Sequence, residues 1–581
     1  MQINRRSFVA GTAAAAAAAT VAMPAMADEA PAAPVAWNTK PASVADQVVA
    51  VEDHEAIVVG LGNAGIVAAL RIAELGGEVL VLEKTGTNVM WAGDIDSCDS
   101  MMHKEGGVEA DKEWVIHDLV RYASGKCDEN LIRLWAYNAG KFTDWYQGKL
   151  QEKGLDIIVD VTKKQFYPDN FFFTNAYATA YVPPLQETAN PMGSEVANPV
   201  FLEEYAELGG KINFYNKVVE LVQAEDGTVT GVSAETENGY VQYNASRGVL
   251  LCTGGFLGNK DMMDQLGVGT HKYCTNHLGG DGRDGDGIKL ATWAGADIDK
   301  THAGSLLIFD RGCITDGNDG GLGVQGGGNM NLWWPGSQPF LRVNAKGQRF
   351  CNEDGPYDFQ FNLATMQPGS YWWQIFDANS WEDVVRFDTT VCSRVVAKEG
   401  AKNCFLLGQY YPCRDAEEWQ NVYIDPNVAN GCLIKCDTIE ELAAAMGFGE
   451  AETANLLATV ARYNELADLG EDLDHHKAPW RLSHIVEPPF YAAKLAGWAL
   501  ATLSGVRVNA NMNAITPNGD PIKGLYMGGI DSGGFFNGNY PQLYGGLCMS
   551  HALTFAWLAA HTMMGVEYPV PVESCFAAYG A

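Results

Sequence analysis

The chain is poor in positive charge: 39 lysines and arginines stand against 71 aspartates and glutamates, a formal net charge of −32 at pH 7. A surface of that sign repels phosphate backbones, which argues against nucleic-acid binding; it serves solubility and could equally steer a basic electron-transfer partner. The thirteen cysteines include no Cys-x-x-Cys-His, which removes an attached c-type haem. Their odd number and wide spread also differ from the dense, even frameworks of small disulfide-stapled domains. Cys392, Cys404, Cys413, Cys432 and Cys436 crowd one region without the spacing of a ferredoxin cluster or a zinc ribbon, so buried thiols and no metal are expected there. Beyond the N-terminal Ala-rich run, no apolar stretch reaches the roughly 18 residues that a membrane span needs. What the chain has in excess is glycine, 64 residues in short clusters, which points to tight turns and close approach of backbone to a ligand.

Asn4-Arg5-Arg6-Ser7-Phe8-Val9 precedes the Ala-rich stretch, and Ala25-Met26-Ala27 closes it. A charged, an apolar and a small-residue region in that order read as an export signal over residues 1–27. The segment resembles a twin-arginine signal, which implies transport of a folded protein with its cofactor already inserted. The expected location is the periplasm or the outer face of the cytoplasmic membrane, with membrane association only through a partner. Residues 28–52, rich in Ala, Pro and Val without a period, read as a linker.

The fold is expected to be α/β, starting near Glu55. Ala56-Ile57-Val58-Val59 is a short apolar strand, Ala64 to Leu75 has helical spacing stopped by Gly76-Gly77, and Glu78 to Glu83 is a second strand. Lys211 to Val232 reads as extended segments broken at Asp226-Gly227, and Gly248 to Thr253 as another buried strand. From about 303 to 500 the chain is richer in aromatics and loses the βαβ pattern. The expected arrangement is a Rossmann-like FAD-binding domain (53–302 and 501–581) interrupted by an inserted α+β capping domain (303–500), with the ligand between them.

Gly60-Leu61-Gly62-Asn63-Ala64-Gly65 lies between the first strand and its helix, and Glu83 ends the next strand where a carboxylate can hold a ribose hydroxyl. Gly60 would allow the tight turn, Gly62 the approach of a pyrophosphate, and Gly65 the packing of helix on strand. Further segments follow: Cys252-Thr253-Gly254-Gly255-Phe256, Asp284-Gly285-Asp286-Gly287-Ile288, Val343 to Glu353 and Gly524 to Gly534. Together these resemble, in order, the segments of the fumarate reductase and succinate dehydrogenase flavoprotein superfamily, in a flavocytochrome c-like form without haem. Carried onto this chain, the family's FAD contacts fall on Gly60, Gly62, Asn63, Ala64, Gly65, Glu83, Lys84, Gly93, Asp94, Val218, Thr253, Gly254, Gly255, Asp286, Gly287, Gly529 and Asp531. There are departures. Val89 to Asp94 replaces the family's Gly-Gly-Asn-Ser stretch, Ile530 stands where relatives often carry an acid, with Asp531 beside it, and the covalent-flavin histidine segment is absent. Non-covalent FAD is therefore expected.

The substrate end departs further. The resemblance implies His and Arg side chains that clamp a dicarboxylate, yet Leu307, Ala501 and Leu543 stand at those places and Tyr357 at that of the acid. A buried dianion without cations is strongly penalised, so fumarate is not expected as substrate. Asn352-Glu353 followed by Pro356-Tyr357, and Asn539-Tyr540-Pro541, are instead similar to segments of 3-ketosteroid dehydrogenases of the same superfamily. A tyrosine, with a pKa of about 10, is protonated at neutral pH and can give a proton to a substrate. Tyr357 is the first candidate, with Tyr540 or Tyr544 as a second. Phe171-Phe172-Phe173, Trp333-Trp334 and Trp372-Trp373 are candidates for an apolar wall. The expected activity is reduction of the C=C bond of an α,β-unsaturated carbonyl compound, with hydride from FAD N5, a proton from tyrosine, and electrons from an external cytochrome or quinol-linked donor. The alternatives are the reverse, ketosteroid-type dehydrogenation, and an electron-carrying flavoprotein without an organic substrate.

Overall fold

The computed structural model describes residues 36–89, 94–107, 109–155, 157–160, 179–181, 193–267, 269–277, 282–299, 306–315, 332–389, 393, 395–396, 413–536, 539–542 and 544–576. The apolar runs Ala56–Val59, Val79–Leu82 and Val249–Leu251 are buried along their whole length. Both their faces are covered, which is why they read as continuous rather than alternating segments. They lie in a six-stranded sheet with the spatial order Asn513–Ile515, Pro521–Met527, Val249–Leu251, Ala56–Val59, Val79–Leu82, Lys211–Asn213. Every pairing but the first is parallel. Val249 thus sits opposite Ile57 on one side and Leu525 on the other. The turns that follow these three strands, at 60–65, 252–255 and 528–531, meet at one edge of the sheet, where ligands of such folds bind.

The helix Asn63–Glu74 follows the first strand and ends where Gly76 adopts φ +85°. It packs against Leu547–Met564, a helix buried on nearly every side. A second sheet, ordered Val48–His54, Gly239–Ala245, Val229–Thr236, Lys217–Gln223, lies beside the first. Asp226-Gly227 forms the expected turn, with Gly227 at φ +82° and Asp226 Oδ1 accepting from the Thr228 N–H.

The linker expectation for 28–52 needs correction from residue 36 onward. Trp37 is buried and donates from Nε1 to Gln265 Oε1 at 2.9 Å, and Glu220 accepts from Ser43 and from the Val44 N–H. Val48–His54 then adds a parallel edge strand. Neither face of that strand is buried, with Val49 65% and Val51 58% exposed. Backbone pairing and the end contacts of Asp53 with Asn244 and of His54 with Glu78 hold it, so its sequence carries no apolar alternation to read.

A third sheet is built on the long strand Phe490–Thr502, which pairs with Leu306–Cys313, Trp372–Phe376, Cys274–His277 and Ile434–Cys436. Helices Ile439–Ala445 and Glu450–Leu469 cover it through Leu442, Leu456 and Tyr463. The architecture is the α/β one expected, a Rossmann-like sheet accompanied by an α+β unit. Among the described residues no helix is long and apolar enough to cross a membrane.

Candidate functional site

Two glycines of the loop, Gly60 and Gly65, are fixed by contacts that leave no room for a side chain, whereas Gly62 has room for one. A Cβ on Gly65 would come 1.9 Å from the Gly60 carbonyl oxygen, and one on Gly60, whose φ is +97°, 2.4 Å from that of Cys252. Gly62 caps the helix in extended conformation, and Ala64 is buried behind it. Asn63 accepts at Oδ1 from Asn198 Nδ2 at 2.8 Å, and the same nitrogen reaches Asn88 Oδ1. Asn88 in turn donates to the Leu61 carbonyl.

Glu83 is 5% exposed, and its carboxylate accepts from the N–H groups of Leu61 at 2.8 Å and Thr85 at 2.7 Å. It therefore fastens the glycine loop to the end of the second strand. Lys84 pairs with Asp286 at 2.6 Å and Asp284 at 3.0 Å. Burial works against its charge, but the two carboxylates more than offset this and hold its pKa above the usual value. Asp286 also meets Lys289 at 2.7 Å. A groove of ≈ 360 Å³ lined by Lys40, Val44, Val218, Asp286 and Trp293 adjoins this end.

Asp531 ties the 528–531 turn to the 252–255 turn and, through Thr253, to Gly287. Its Oδ2 accepts from the N–H of Thr253 at 2.8 Å and from the Thr253 hydroxyl at 3.0 Å, and Thr253 Oγ1 accepts from the Gly287 N–H at 2.7 Å. A Cβ on Gly529, whose φ is +80°, would come 3.0 Å from Asp531 Oδ1 and 3.4 Å from Ala64 Cβ. Burial pushes the Asp531 carboxyl up to about 7, against the lowering effect of the Thr253 donors. Its Oδ1 has no partner among the described residues, nor do Thr502 Oγ1, Ser504 Oγ or either ring nitrogen of His551. Buried polar atoms are rarely left so, and two of them, Thr502 Oγ1 at Gly255 and Asp531 Oδ1 at Gly529, fit a polar ligand resting at these turns. A Cβ on Gly255 would strike Thr502 Oγ1, whereas Gly254, at φ +80°, faces open space. Thr502, Ser504, His551, Asn88 and Asn198 are single residues without a local pattern, and nothing in the sequence marks them. Gly93 lies outside the described residues, and Asp94 is described only as backbone at the start of the strand Asp94–Asp96.

Tyr357 begins the helix Tyr357–Thr365 and is 1% exposed. Its N–H, which no helical carbonyl can take, donates to Gln542 Oε1 at 2.9 Å, and Gln542 Nε2 donates to Ser393 Oγ at 2.8 Å. The Tyr357 and Tyr540 rings stack at 6.2 Å, and Phe309 meets Tyr357 edge-on at 5.1 Å. Trp334 and Trp498 flank Phe309. Tyr544 does not belong to this stack: its hydroxyl donates to Asp118 Oδ2 at 2.9 Å. Of the proposed aromatic walls, Trp334 joins this group, while Trp333, Trp372 and Trp373 are core, and 171–173 lie outside the described residues.

Leu307 and Ala501 are direct partners across the antiparallel ladder, so two of the places for clamping histidines form one apolar spot. Leu543 lies outside the described residues. Arg349 is held by Glu353 and Asp472 at 2.7–3.0 Å, and Arg481 by Asp354 at 2.6 Å. These pairs clasp the turn ahead of Tyr357 and leave Arg349 committed. Arg311, which the sequence reading passed over, is buried with its guanidinium 3.9 Å from the Phe309 ring centre and 3.6 Å from that of Trp334. Among the described residues no group of His, Cys, Asp and Glu is arranged to hold a metal.

Residues 55–544 match the family model described as FAD binding domain. The chain belongs to that family. It is an FAD-binding oxidoreductase of the fumarate reductase and succinate dehydrogenase flavoprotein superfamily. It is 27% identical to the vinyl phenol reductase of Lactiplantibacillus plantarum, over 86% of this chain and 94% of that protein. It is 25% identical to a probable fumarate reductase of Shewanella frigidimarina, over 87% and 74% of the two chains. The fold matches the 3-ketosteroid-Δ4-(5α)-dehydrogenase of Rhodococcus jostii with a TM-score of 0.65 at 20% identity, covering 91% of this chain and 99% of the other. Glu83→Ala should weaken FAD binding about ten- to a hundredfold, the size expected from losing charge-assisted hydrogen bonds of about 1.5–3 kcal/mol. Titration of the apoprotein with FAD measures this, and unchanged affinity would remove Glu83 from the ribose site.

Proposed function

We propose that this protein reduces the C=C bond of a neutral aryl alkene or enone, with Tyr357 as the proton donor. The observation that carries this reading is the buried Tyr357–Tyr540 stack against Phe309, beside a Leu307–Ala501 spot that offers a substrate no charge. The similarity to a vinyl phenol reductase supports the same class of substrate. When bound, FAD supplies the hydride chemistry. Gly60 to Gly65, Glu83, Thr253 and Asp531 would hold it, and Tyr357 would protonate the carbon next to the one that receives hydride. Gln542 fixes the backbone from which Tyr357 projects, and the aromatic group excludes water. We also take the N-terminal segment as an export signal and the electron donor as an external cytochrome or quinol-linked protein. The reverse direction draws support from 29% identity to a 3-oxosteroid 1-dehydrogenase of Mycobacterium tuberculosis over 58% of this chain.

The test is anaerobic. The holoenzyme is reduced stoichiometrically with dithionite and mixed with 4-vinylphenol, 4-hydroxycinnamate, an enone steroid or fumarate while flavin absorbance is followed. A neutral unsaturated compound should restore it, and fumarate should act at least about 100-fold more slowly, because the two places for its clamping side chains, Leu307 and Ala501, carry no charge and Arg311 alone would have to balance the dianion. Rapid reoxidation by fumarate alone would overturn the reading, and no response to any of the four would favour a pure electron carrier.

A further inference from the structure

Residues 36–47 precede the first strand of the Rossmann-like sheet, yet they are fastened to the fold at both ends. Trp37, 8% exposed, donates from Nε1 to Gln265 Oε1 at 2.9 Å, at the end of the helix Lys260–Gln265. At the other end Glu220 Oε2 accepts from the Ser43 hydroxyl and from the Val44 N–H, each at 3.0 Å, and the chain then enters the edge strand Val48–His54. Between these anchors residues 38–43 are exposed on their outer side.

What the segment covers is the ≈ 360 Å³ groove, of which Lys40, Ala42 and Val44 form one wall and Val218, Asp286 and Trp293 belong to the others. The groove suits a flat heteroaromatic ring with a polar edge. Val218, Val219 and Glu220 follow one another along it, and consecutive strand residues border one space only where the backbone itself faces that space. Lys217–Gln223 is the last strand of its sheet and pairs on one side only, so its open edge offers N–H donors and C=O acceptors. Trp293 adds an indole whose buried N–H meets no acceptor among the described residues, which is uncommon unless a ligand supplies one. Position then narrows the occupant. Asp286 pairs with Lys84 at 2.6 Å, and the Asn216 N–H, at the head of the edge strand, donates to the Glu83 carbonyl at 2.9 Å. Two walls of the groove are thus tied to Glu83 and its neighbour, the residues expected at the ribose of FAD, and the group next to that ribose is adenine.

We propose that residues 36–47 are a strap over the adenine of bound FAD, and that its release is the step that lets the cofactor leave. The anchors at Trp37 and Glu220 hold residues 40–44 across the groove from outside, so an adenine seated there departs only after one anchor opens. The coupling runs both ways: a ring that fills the groove gives the strap a surface to rest on, so FAD holds the strap as firmly as the strap holds FAD. The inference needs only the FAD site and is independent of Tyr357 as proton donor.

The experiment mixes holoprotein with excess isotopically labelled FAD and follows replacement of the bound cofactor by mass spectrometry. Trp37→Ala, which loses a buried ring and its hydrogen bond, should exchange FAD at least about tenfold faster than wild type, and Gln265→Ala, which loses the bond alone, about threefold faster. Hydrogen exchange of the wild type gives a second readout that needs no substitution. The amides of 36–47, among them Thr39 and Gln47, which donate within the strap, should exchange at least about tenfold more slowly in holoprotein than in apoprotein. Saturating ADP added to apoprotein should restore most of that protection, and FMN none of it. Wild-type FAD exchange in Trp37→Ala overturns the strap, as does equal protection of 36–47 in apoprotein and holoprotein, which marks a purely structural segment. Protection by FMN and not by ADP overturns adenine as the occupant. If Trp37→Ala does not fold, the wild-type comparison of apoprotein, ADP and FMN decides alone.

Discussion

Tyr357→Phe should lose about 10² to 10⁴ in turnover while keeping FAD, the range expected when a positioned general acid is removed. The ring packing against Tyr540 and Phe309 is retained by phenylalanine, and the Gln542 bond is to the backbone, so the fold should lose on the order of 1 kcal/mol at most. Reduction of the flavin by its donor should proceed at the wild-type rate, since that half-reaction needs no proton from Tyr357. Turnover within about threefold of wild type would transfer the role to Tyr540, Tyr544 being bonded to Asp118. Slowed flavin reduction would show that the tyrosine serves something other than substrate protonation.

Gly65→Ala should yield protein without flavin. The added Cβ meets the Gly60 carbonyl at 1.9 Å, backbone against backbone, and the helix can retreat only by opening the loop. Overpacking of this kind costs about 1–3 kcal/mol or more. Gly254→Ala is the informative companion. Its φ of +80° costs about 1–2 kcal/mol with a side chain, but nothing lies within 4 Å of the new atom. A Gly254→Ala protein that melts near the wild-type temperature as apoprotein yet binds FAD weakly would place the cofactor against that turn. Flavin per polypeptide and apoprotein melting temperature separate the two outcomes, and stoichiometric FAD in Gly65→Ala would contradict the loop assignment.

The glycine loop and Glu83 were legible in the sequence because ligand and packing constraints fall within one βαβ unit. Thr253, Gly287 and Asp531 touch only across 278 and 34 residues of chain, so resemblance rather than pattern brought them together. Gln542 was not legible, since it is a lone polar residue whose meaning lies in the Tyr357 backbone on another element. The strand Val48–His54 was missed because it buries neither face, and the pairs Trp333-Trp334 and Trp372-Trp373 read as pocket although most of them fill the sheet core.

The position of Val249–Leu251 between Ala56–Val59 and Pro521–Met527 sets an order of assembly. Until residue 527 has left the ribosome, the middle strand lacks a neighbour along one whole edge and Thr253 lacks Asp531. Such long-range pairing is slow, and its last strand is made only near the end of synthesis. The bond between Thr253 and Asp531 therefore closes after most of the chain has been made, and the FAD cradle is completed only then.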